Sequence, residues 1–433
     1  MSSDKSSARL ALLLLFCVSL FNYMDRFALS VLLPSIKESL QFSDTELGAV
    51  TTAFTISYVL FGIPLARLAD TYSRKRIISG ALAMWSLMTA ACGLAQNFLQ
   101  LAIARVLVGV GESGATPPAH SLIADYFPIS QRSKAIAMFS VGAPIGLMIG
   151  FALAGWLAEA YSWRIAFVAL GLPGLLLAIV LLIKLEEPQR GQADGETAAA
   201  KNMLPFLSVI RLLLSKPAYR HICVATGLYT VVYLGVVGWL PSYFVRSFDM
   251  SVADVGFWLA LSLGIPQIIG MLICGTITDR LVVRDLRWYG RIPALAMALS
   301  TPLFLVVFLT ENVLIASTAL FLAFFIGIFQ GPASLTAIQG LAELRTRALA
   351  AAIFFLIVNL IGGFIGPLLT GWLSDRLAAD YGADSLRYAL LGLSIVFGFW
   401  SALHYALATR TLKDGIRTNR SAQPAEVSDA SLP

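Results

Sequence analysis

Twelve apolar stretches occupy most of this chain, and each is long enough to cross a lipid bilayer as an α-helix, which takes about 20 residues. Only 13% of the 433 residues are charged, against about 25% in a soluble domain. A water-soluble protein is therefore excluded, and the pattern predicts an all-α membrane protein with twelve transmembrane helices. The stretches run over 10–34, 45–66, 77–95, 98–123, 135–158, 165–183, 218–244, 253–278, 292–309, 313–340, 348–374 and 386–408.

The longest polar interruption divides the twelve stretches into two halves of six. Within this interruption, the apolar segment 204–214 is too short to cross the bilayer. It predicts an interfacial helix that links the halves, or equally an extension of the seventh crossing. The expected units are a cytoplasmic N-terminus at 1–9, an N-terminal half at 10–183, a cytoplasmic central loop at 184–217, a C-terminal half at 218–408 and a cytoplasmic tail at 409–433.

The distribution of basic residues predicts the side of each loop, because loops rich in Lys and Arg stay in the cytoplasm. With both termini inside, 24 of the 31 Lys and Arg residues fall in cytoplasmic segments and five in outer segments. Anionic lipid headgroups are the nearest partners of these loops, so the net charge of +6 does not indicate nucleic acid. The outer loops carry no N-x-S/T glycosylation acceptor, which favours a bacterial inner membrane.

Two sequence elements recur in both halves, as expected of a duplicated membrane architecture. Glycines four residues apart, which let helix backbones touch, recur after 216 residues together with a following acid. Acids also follow crossings two and eight, beside basic residues, and we expect a conformational latch there on the cytoplasmic side. The first element is Gly146, Gly150, Gly155 and Glu159, repeated as Gly362, Gly366, Gly371 and Asp375; the latch residues are Asp70, Arg74, Asp279 and Arg280.

These motifs resemble signatures of the major facilitator superfamily. The loop from Ala66 to Arg76 is similar to its GxxxDRxGRR signature, with Ala66, Thr71 and Ser73 in place of Gly, Arg and Gly. Arg105-x3-Gly109-x-Gly111 in crossing four is similar to a second signature. The resemblance covers nearly the whole chain and implies the superfamily fold, two six-helix halves that alternately expose a central site to either side.

A narrower resemblance concerns crossings one and four. Asn22-Tyr-Met-Asp-Arg26, together with the segment from Gly109 to Pro128, is similar to bacterial members of the spinster-like branch, which includes proton-linked carriers of lysophospholipids and sphingolipids. This resemblance implies a secondary transporter of an amphipathic, anionic or zwitterionic, lipid-like substrate. The alternatives are a proton-linked symporter of small organic anions, with Arg26 and Arg105 clamping a carboxylate, and a drug efflux antiporter.

Four ionisable residues lie well inside the predicted crossings, at Asp25, Arg26, Arg105 and Glu112. An ionisable group at this depth is costly and indicates function. Burial favours the neutral form of a carboxyl group and a nearby arginine favours the charged form. We therefore expect Asp25 and Glu112 to couple transport to protons, while Arg26 and Arg105 bind the substrate headgroup. The alternative is a permanent ion-pair network between crossings one and four.

Polar and aromatic residues in other crossings are candidates for a cavity lining. Together with the charges they would give one charged wall and one aromatic or amide wall, which suits a molecule with a head and a tail. Any one of them can instead be an interface aromatic or an interhelical hydrogen-bonding group. His120 beside Pro117 can relay a proton or bind a backbone carbonyl freed by the proline. The candidates are Tyr23, His120, Tyr229, Tyr233, Gln267, Gln330 and Asn359.

Other classes of protein find little support in the sequence. Gly109-x-Gly-x-x-Gly114 matches a dinucleotide motif, but that motif follows a strand, so here it predicts helix packing. No P-loop is present and the four cysteines lack metal-ligand spacing, so we expect neither nucleotide nor metal. A membrane enzyme would depend on His120 and Asp125, whose spacing gives a poor shared face. We expect no enzyme, no cofactor beyond the coupled proton, and function as a monomer in the lipid bilayer.

Overall fold

A computed structural model describes residues 2–190, 206–343 and 346–421. These residues form fifteen α-helices and a 3₁₀ turn at Gly382–Asp384, and the described ranges contain no strand. Leu204 and Pro205 of the predicted interfacial helix, and the tail from residue 422, lie outside them. The helices are α1 (Ser2–Leu40), α2 (Asp44–Thr71), α3 (Arg74–Cys92), α4 (Phe98–Ser113), α5 (Thr116–Tyr126), α6 (Ile129–Ala160), α7 (Trp163–Lys184), α8 (Phe206–Ser215), α9 (Pro217–Phe248), α10 (Val252–Val282), α11 (Trp288–Leu309), α12 (Val313–Gly327), α13 (Gln330–Leu341), α14 (Arg347–Tyr381) and α15 (Ser385–Ser421).

The helices account for the twelve predicted crossings. Ten described segments are long and apolar enough to span a membrane, and one of them, Leu349–Ile416, contains both α14 and α15. The remaining crossing is α3, a 19-residue helix that contacts α4 and α7. Crossing four consists of α4 and α5, and crossing ten consists of α12 and α13.

The central loop contributes α8, a short amphipathic helix. Val209 and Leu213 are each 1% exposed, and α8 contacts α9 and α14 in the C-terminal half. Lys216 has an extended backbone and Pro217 begins α9, so α8 is a separate helix rather than an extension of the seventh crossing.

Crossings four and ten are interrupted at corresponding positions. The first gap lies between Ser113 and Thr116, and the second lies between Gly327 and Gln330, each 214 residues later. Paired interruptions at corresponding positions of a duplicated membrane fold point to a ligand site between the halves. Glu112 lies one residue before the end of α4 at Ser113, which places an acid beside the first gap.

The repeated glycines bring helices together within each half. A Cβ atom on Gly150 of α6 would lie 2.6 Å from the Met24 carbonyl oxygen of α1. The corresponding atom on Gly366 of α14 would lie 2.7 Å from the Val231 carbonyl oxygen of α9. The first crossing of each half therefore packs against the fifth crossing through backbone contact, as the glycine spacing predicted.

The third glycine of each repeat instead contacts the opposite half. Gly155 of α6 faces the Val252 carbonyl oxygen at the start of α10, and Gly371 of α14 faces the Asp44 carbonyl oxygen at the start of α2. The two halves therefore meet through a pair of related contacts.

These contacts lie on one of the two faces of the molecule. We call this the capped face; it carries the turns that join α1 to α2 and α9 to α10. The opposite, basic face carries the α2–α3 and α10–α11 turns. From Tyr58 to Leu68, toward the basic face, no residue of α2 is buried. The halves thus touch at the capped face and separate toward the basic face, leaving the space between them open there.

Backbone contact at the repeated glycines predicts that even a methyl group destabilises the fold. We expect Gly150→Ala and Gly366→Ala each to lower the melting temperature in detergent by about 3–10 °C, the usual cost of overpacking. Gly80→Ala is the matched control, because no atom lies within 4 Å of its added Cβ and alanine favours the helix. Melting temperatures equal to that of the Gly80→Ala variant would show that these contacts are not tight.

Candidate functional site

The four intramembrane charges come together between α1 and α4, and one pair is in direct contact. Arg26 donates from Nε and Nη2 to Oε2 of Glu112, at 3.0 and 2.7 Å, and from Nη2 to Oδ1 of Asn22 at 3.2 Å. Arg26 therefore pairs with a carboxylate on another helix rather than with its neighbour Asp25.

An aromatic cluster surrounds the Arg26 guanidinium. Its central carbon lies 4.7 Å from the Tyr58 ring centroid, 5.0 Å from that of Tyr23 and 5.1 Å from that of Phe54. Cation–π contacts at this range stabilise a cation away from water. The Arg26 side chain is 20% exposed and that of Glu112 is 0% exposed. Arg26 thus presents an edge to the space between the halves, and Glu112 lies behind it.

Asp25 and Arg105 form a second, deeper layer, 0% and 1% exposed. The Trp85 indole and Thr89 hydroxyl face the Asp25 carboxylate, although its oxygens make no direct hydrogen bond within the described residues. Arg105 lies seven residues nearer the capped face than Glu112, about 10 Å along α4. The charges therefore form two layers, of which only Arg26 reaches the open space.

The C-terminal half provides an aromatic wall opposite Arg26. Tyr233 of α9 lies within electrostatic range of Tyr23 and Arg26, and its hydroxyl donates to Oε1 of Gln267 at 3.4 Å. Its ring centroid lies 6.0 Å from that of Tyr229. Behind these rings is a narrow apolar cavity within the C-terminal half, whose lining includes Tyr229, Tyr233, Met297, Phe304 and Phe324.

Gln330 is buried in a hydrogen-bonded cluster, and its role as a cavity-lining residue stays a prediction. It is 6% exposed, and its Oε1 accepts a 2.8 Å hydrogen bond from the Tyr405 hydroxyl. That hydroxyl also lies 2.7 Å from Thr226 Oγ1 and 2.9 Å from Ser334 Oγ. The cluster joins α9, α13 and α15, so Gln330 forms interhelical hydrogen bonds, the alternative that the sequence left open.

Asn359 and His120 contact residues outside the charged cluster. Asn359 donates to the Phe355 carbonyl oxygen of its own helix at 2.8 Å. The half-buried His120 ring packs edge-on against Phe139 of α6, with centroids 5.2 Å apart. The structure places neither residue in hydrogen-bond contact with Glu112, and a role for either one in transport stays a prediction.

Among the described residues, no hydrogen bond or ion pair joins the predicted latch residues to one another in this conformation. Asp70, Asp279 and Arg280 are exposed on the basic face, and Asp279 lines an open pocket of about 560 Å³. Arg74 is instead 1% exposed.

Arg74 joins three parts of the N-terminal half on the basic face. It forms ion pairs with Asp125 of α5 and, at 2.8 Å, with Glu187 after α7, and it donates to Ser121 Oγ at 2.9 Å. Glu187 also accepts from Ser73 Oγ at 2.7 Å and from the Lys75 amide at 2.9 Å.

Sequence reasoning missed the role of Glu187. Burial alone would raise the pKa of Glu187, but the hydrogen bonds from Arg74, Lys75 and Ser73 outweigh burial, so its pKa is lowered. The sequence feature that could have indicated this role is an acidic pair, Glu186 and Glu187, which comes directly after an apolar helix. In the fold this pair lies beside the basic turn at Arg74.

Acidic residues on the capped face were also missed as functional candidates. Asp375 of α14 accepts from the backbone amides of Asp44 and Thr45 at 3.1 and 2.7 Å. Glu159 of α6 accepts from the Ala253 amide at 2.9 Å. The signal was present, because Glu159 and Asp375 end the repeated segment that was interpreted through its glycines alone.

The family model described as Major Facilitator Superfamily matches residues 15–367 of this chain. The chain is 33% identical to an MFS-type efflux pump of Mycolicibacterium smegmatis, over 90% of each protein. It is 27% identical to the hexuronate transporter of Bacillus subtilis, over 88% of this chain and 91% of that protein.

A solved structure is also similar over nearly the whole chain. It is a bacterial homolog of the human lysosomal transporter Spinster, in an inward-facing and unoccupied conformation. The TM-score is 0.84 at 26% identity, covering 94% of this chain and 98% of that one. The predicted fold and the predicted spinster-like resemblance are both confirmed.

The lowered pKa of Glu187 predicts a pH-dependent contribution to stability. The stabilisation from the Glu187 hydrogen bonds is fully present above the ordinary glutamate pKa of 4.5. It is lost as the pH falls through the lowered pKa of Glu187 in the folded protein. We expect Glu187→Gln to lower the melting temperature near pH 7, and the difference from wild type to disappear at strongly acidic pH. Melting curves of both proteins between about pH 7 and pH 3 measure this, with the exposed Glu311→Gln as control. A difference that is constant across this range would contradict the assignment.

Proposed function

The chain belongs to the Major Facilitator Superfamily, a family of membrane transporters, and we propose that it is a proton-coupled secondary transporter. Its proposed substrate is amphipathic, with an anionic or zwitterionic headgroup, and it moves by alternating access between the two halves. The observation that carries the proposal is the Arg26–Glu112 pair, which presents one edge of a buried cation to the space between the halves.

The proposed orientation places the basic face in the cytoplasm, since basic loops stay on that side. Both ends of the transmembrane region then lie in the cytoplasm, and the space between the halves opens inward. The conformation of the similar Spinster homolog, which is inward-facing, supports this orientation. We place the protein in a bacterial inner membrane.

Proton coupling follows from an exchange of partners at Arg26. An anionic headgroup that binds Arg26 displaces Glu112, whose only described cationic hydrogen-bond partner is Arg26. A carboxylate left ionised and unpaired at this depth costs several kcal/mol, so Glu112 takes up a proton. Arg26 cannot supply this proton, because a guanidinium stays charged. Binding of one negative charge of the substrate at Arg26 is thus accompanied by uptake of one proton at Glu112.

Asp25 serves this exchange from the deeper layer. It is adjacent to Arg26 in sequence and within electrostatic range of both Glu112 and Arg105. Its carboxylate is 0% exposed, so we propose that it exchanges protons with Glu112 and not with the open space directly. Arg105 keeps this layer cationic when a carboxyl group is protonated.

The two walls of the cavity support an amphipathic substrate. Arg26 would hold the headgroup, and the narrow apolar cavity behind Tyr233, whose lining includes Phe304 and Phe324, would have to widen to accept a tail. Two other substrate classes stay open. The similarity to a hexuronate transporter supports a small organic anion clamped by arginine, and the similarity to an efflux pump supports drug export.

Proton coupling is tested with purified protein in liposomes that contain a pH-sensitive dye. We expect lysophospholipids to change the lumenal pH in wild type, and Asp25→Asn and Glu112→Gln to abolish the change while remaining folded. The matched control is Glu311→Gln, which neutralises an exposed acid between α11 and α12. Substrate flux without proton movement in wild type would contradict coupling, and loss of folding in both variants would identify the charges as structural.

The substrate class is tested at the aromatic wall. Phe304 is 7% exposed, and Phe304→Tyr adds a hydroxyl to an apolar site, a change that costs about 1–3 kcal/mol. We expect KM to rise about tenfold or more for long-chain lysophospholipids and to stay unchanged for hexuronate. Arg26→Gln should weaken transport of both. If only hexuronate is transported, or if Phe304→Tyr affects both equally, the lipid-like substrate is wrong.

A further inference from the structure

The capped face is closed by two related hydrogen-bonding contacts between the halves. In each, an acid near the end of the fifth crossing of one half accepts from backbone amides at the start of the second crossing of the other half. Asp375 of α14 accepts from Asp44 and Thr45 of α2, and Glu159 of α6 accepts from Ala253 of α10. We call these the Asp375 contact and the Glu159 contact.

These contacts are not needed to begin the helices, because each helix already has its own cap. Ser43 Oγ accepts from the Glu46 amide, and the Glu46 side chain accepts from the Ser43 amide, which completes a capping box for α2. At α10, Ser251 Oγ accepts from the Asp254 amide. The carboxylates from the opposite half are therefore additional ligands of the helix N-termini, and they join halves that must part if the capped face opens.

The two contacts differ in burial and in charge. Asp44, beside the Asp375 contact, is 2% exposed. Its carboxylate accepts from Arg246 of α9 at 2.8 and 2.7 Å, and from Ser374 Oγ of α14 at 2.6 Å. The residue at the corresponding position in the other half, directly after the capping serine of α10, is Val252, which has no charge, and Glu159 is exposed. The Asp375 contact thus has several charge-assisted bonds where the Glu159 contact has few.

Asp44 also has a partner that would remain when the halves part. Lys37 of α1 lies 2.5 Å from Oδ1 of Asp44 within the N-terminal half, whereas Arg246 and Ser374 belong to the C-terminal half. Opening the capped face would remove Arg246 and Ser374 but leave the Asp44–Lys37 pair. Asp44 therefore keeps a cationic partner after the halves part, and opening leaves no unpaired carboxylate. For this reason the Asp375 contact can open and close again.

We propose that Asp375 and Glu159 are unequal gate residues, and that the Asp375 contact, braced by Asp44 and Arg246, controls opening of the capped face. The Glu159 contact opens first and contributes little to the equilibrium. This inference rests on the proposed alternating access. It adds positioning residues that touch neither the substrate site nor the intramembrane charges.

The test measures the distance across the capped face in the full-length protein. Spin labels replace Ser39 and Ala379, which are exposed on opposite halves, and double electron–electron resonance is recorded in lipid nanodiscs without substrate. We expect Asp375→Asn to increase the population with long distances about tenfold or more, because it removes a charged partner of two amides. Glu159→Gln should increase it less than about threefold, as expected of an exposed contact. Glu311→Gln should leave it unchanged.

A second variant covers the case in which Asp375→Asn does not fold. Thr45→Val removes only the Thr45 hydroxyl, which donates to Asp375 at 2.5 Å, and should shift the population in the same direction by a smaller factor. No shift in a folded Asp375→Asn or Thr45→Val protein, or a larger shift for Glu159→Gln, would overturn the inference. This distance measurement needs neither substrate nor a proton gradient. A failure of the gate inference can therefore be distinguished from a failure of the proposed transport, which the flux experiment tests separately.

Discussion

A charge inside a bilayer must be paired with another charge, and the Arg26–Glu112 pair meets this requirement where the two halves face each other. The pair bridges α1 and α4, which otherwise pack chiefly against α6 and against α2 and α3, respectively, and glycines lie at those neighbouring contacts. The interruption of crossing four begins after Ser113, the residue that follows Glu112. Because arginine cannot lose its proton, any ligand that separates the pair leaves a carboxylate that must be neutralised. In the proposed mechanism, the same contact that joins these helices also couples a substrate to a proton.

The two halves share the same arrangement of helices but differ in the charge and polarity of the side chains that face the space between them. The glycine stripes and the acids on the capped face recur after 216 residues, and the interrupted crossings recur after 214. The intramembrane charges, by contrast, belong to the N-terminal half, whereas the C-terminal half presents Tyr229 and Tyr233, with a narrow apolar cavity behind them. The repeat thus gives both halves the same helix geometry, and their different side chains place Arg26 opposite an aromatic wall, which supports the proposed substrate with a charged head.

Much of this architecture could be predicted from the sequence, because a bilayer imposes strict rules on length and polarity. The twelve crossings, the glycine contacts and the grouping of Asp25, Arg26, Arg105 and Glu112 all follow from such rules. The hydrogen-bonding and ion-pair partners of individual residues could not be predicted in this way, since they depend on how the helices are rotated against one another. Gln330, for which the sequence left both a cavity lining and an interhelical hydrogen bond open, binds Tyr405, and Arg74, predicted as a latch residue, pairs with Asp125 and Glu187. The acids at 159 and 375 were visible as a repeat, but the hydrogen bonds they make across the halves required the fold.

The proposed exchange, in which a substrate anion replaces Glu112 on Arg26 and leaves Glu112 protonated, is tested most directly by infrared difference spectroscopy. The spectrum of purified protein is recorded before and after addition of the lysophospholipid or organic anion that the protein transports in vesicles. We expect a new protonated-carboxyl band on binding that is absent from Glu112→Gln. A bound substrate without this band, or the same band in Glu112→Gln, would contradict the exchange and leave Arg26 and Glu112 as a permanent structural pair.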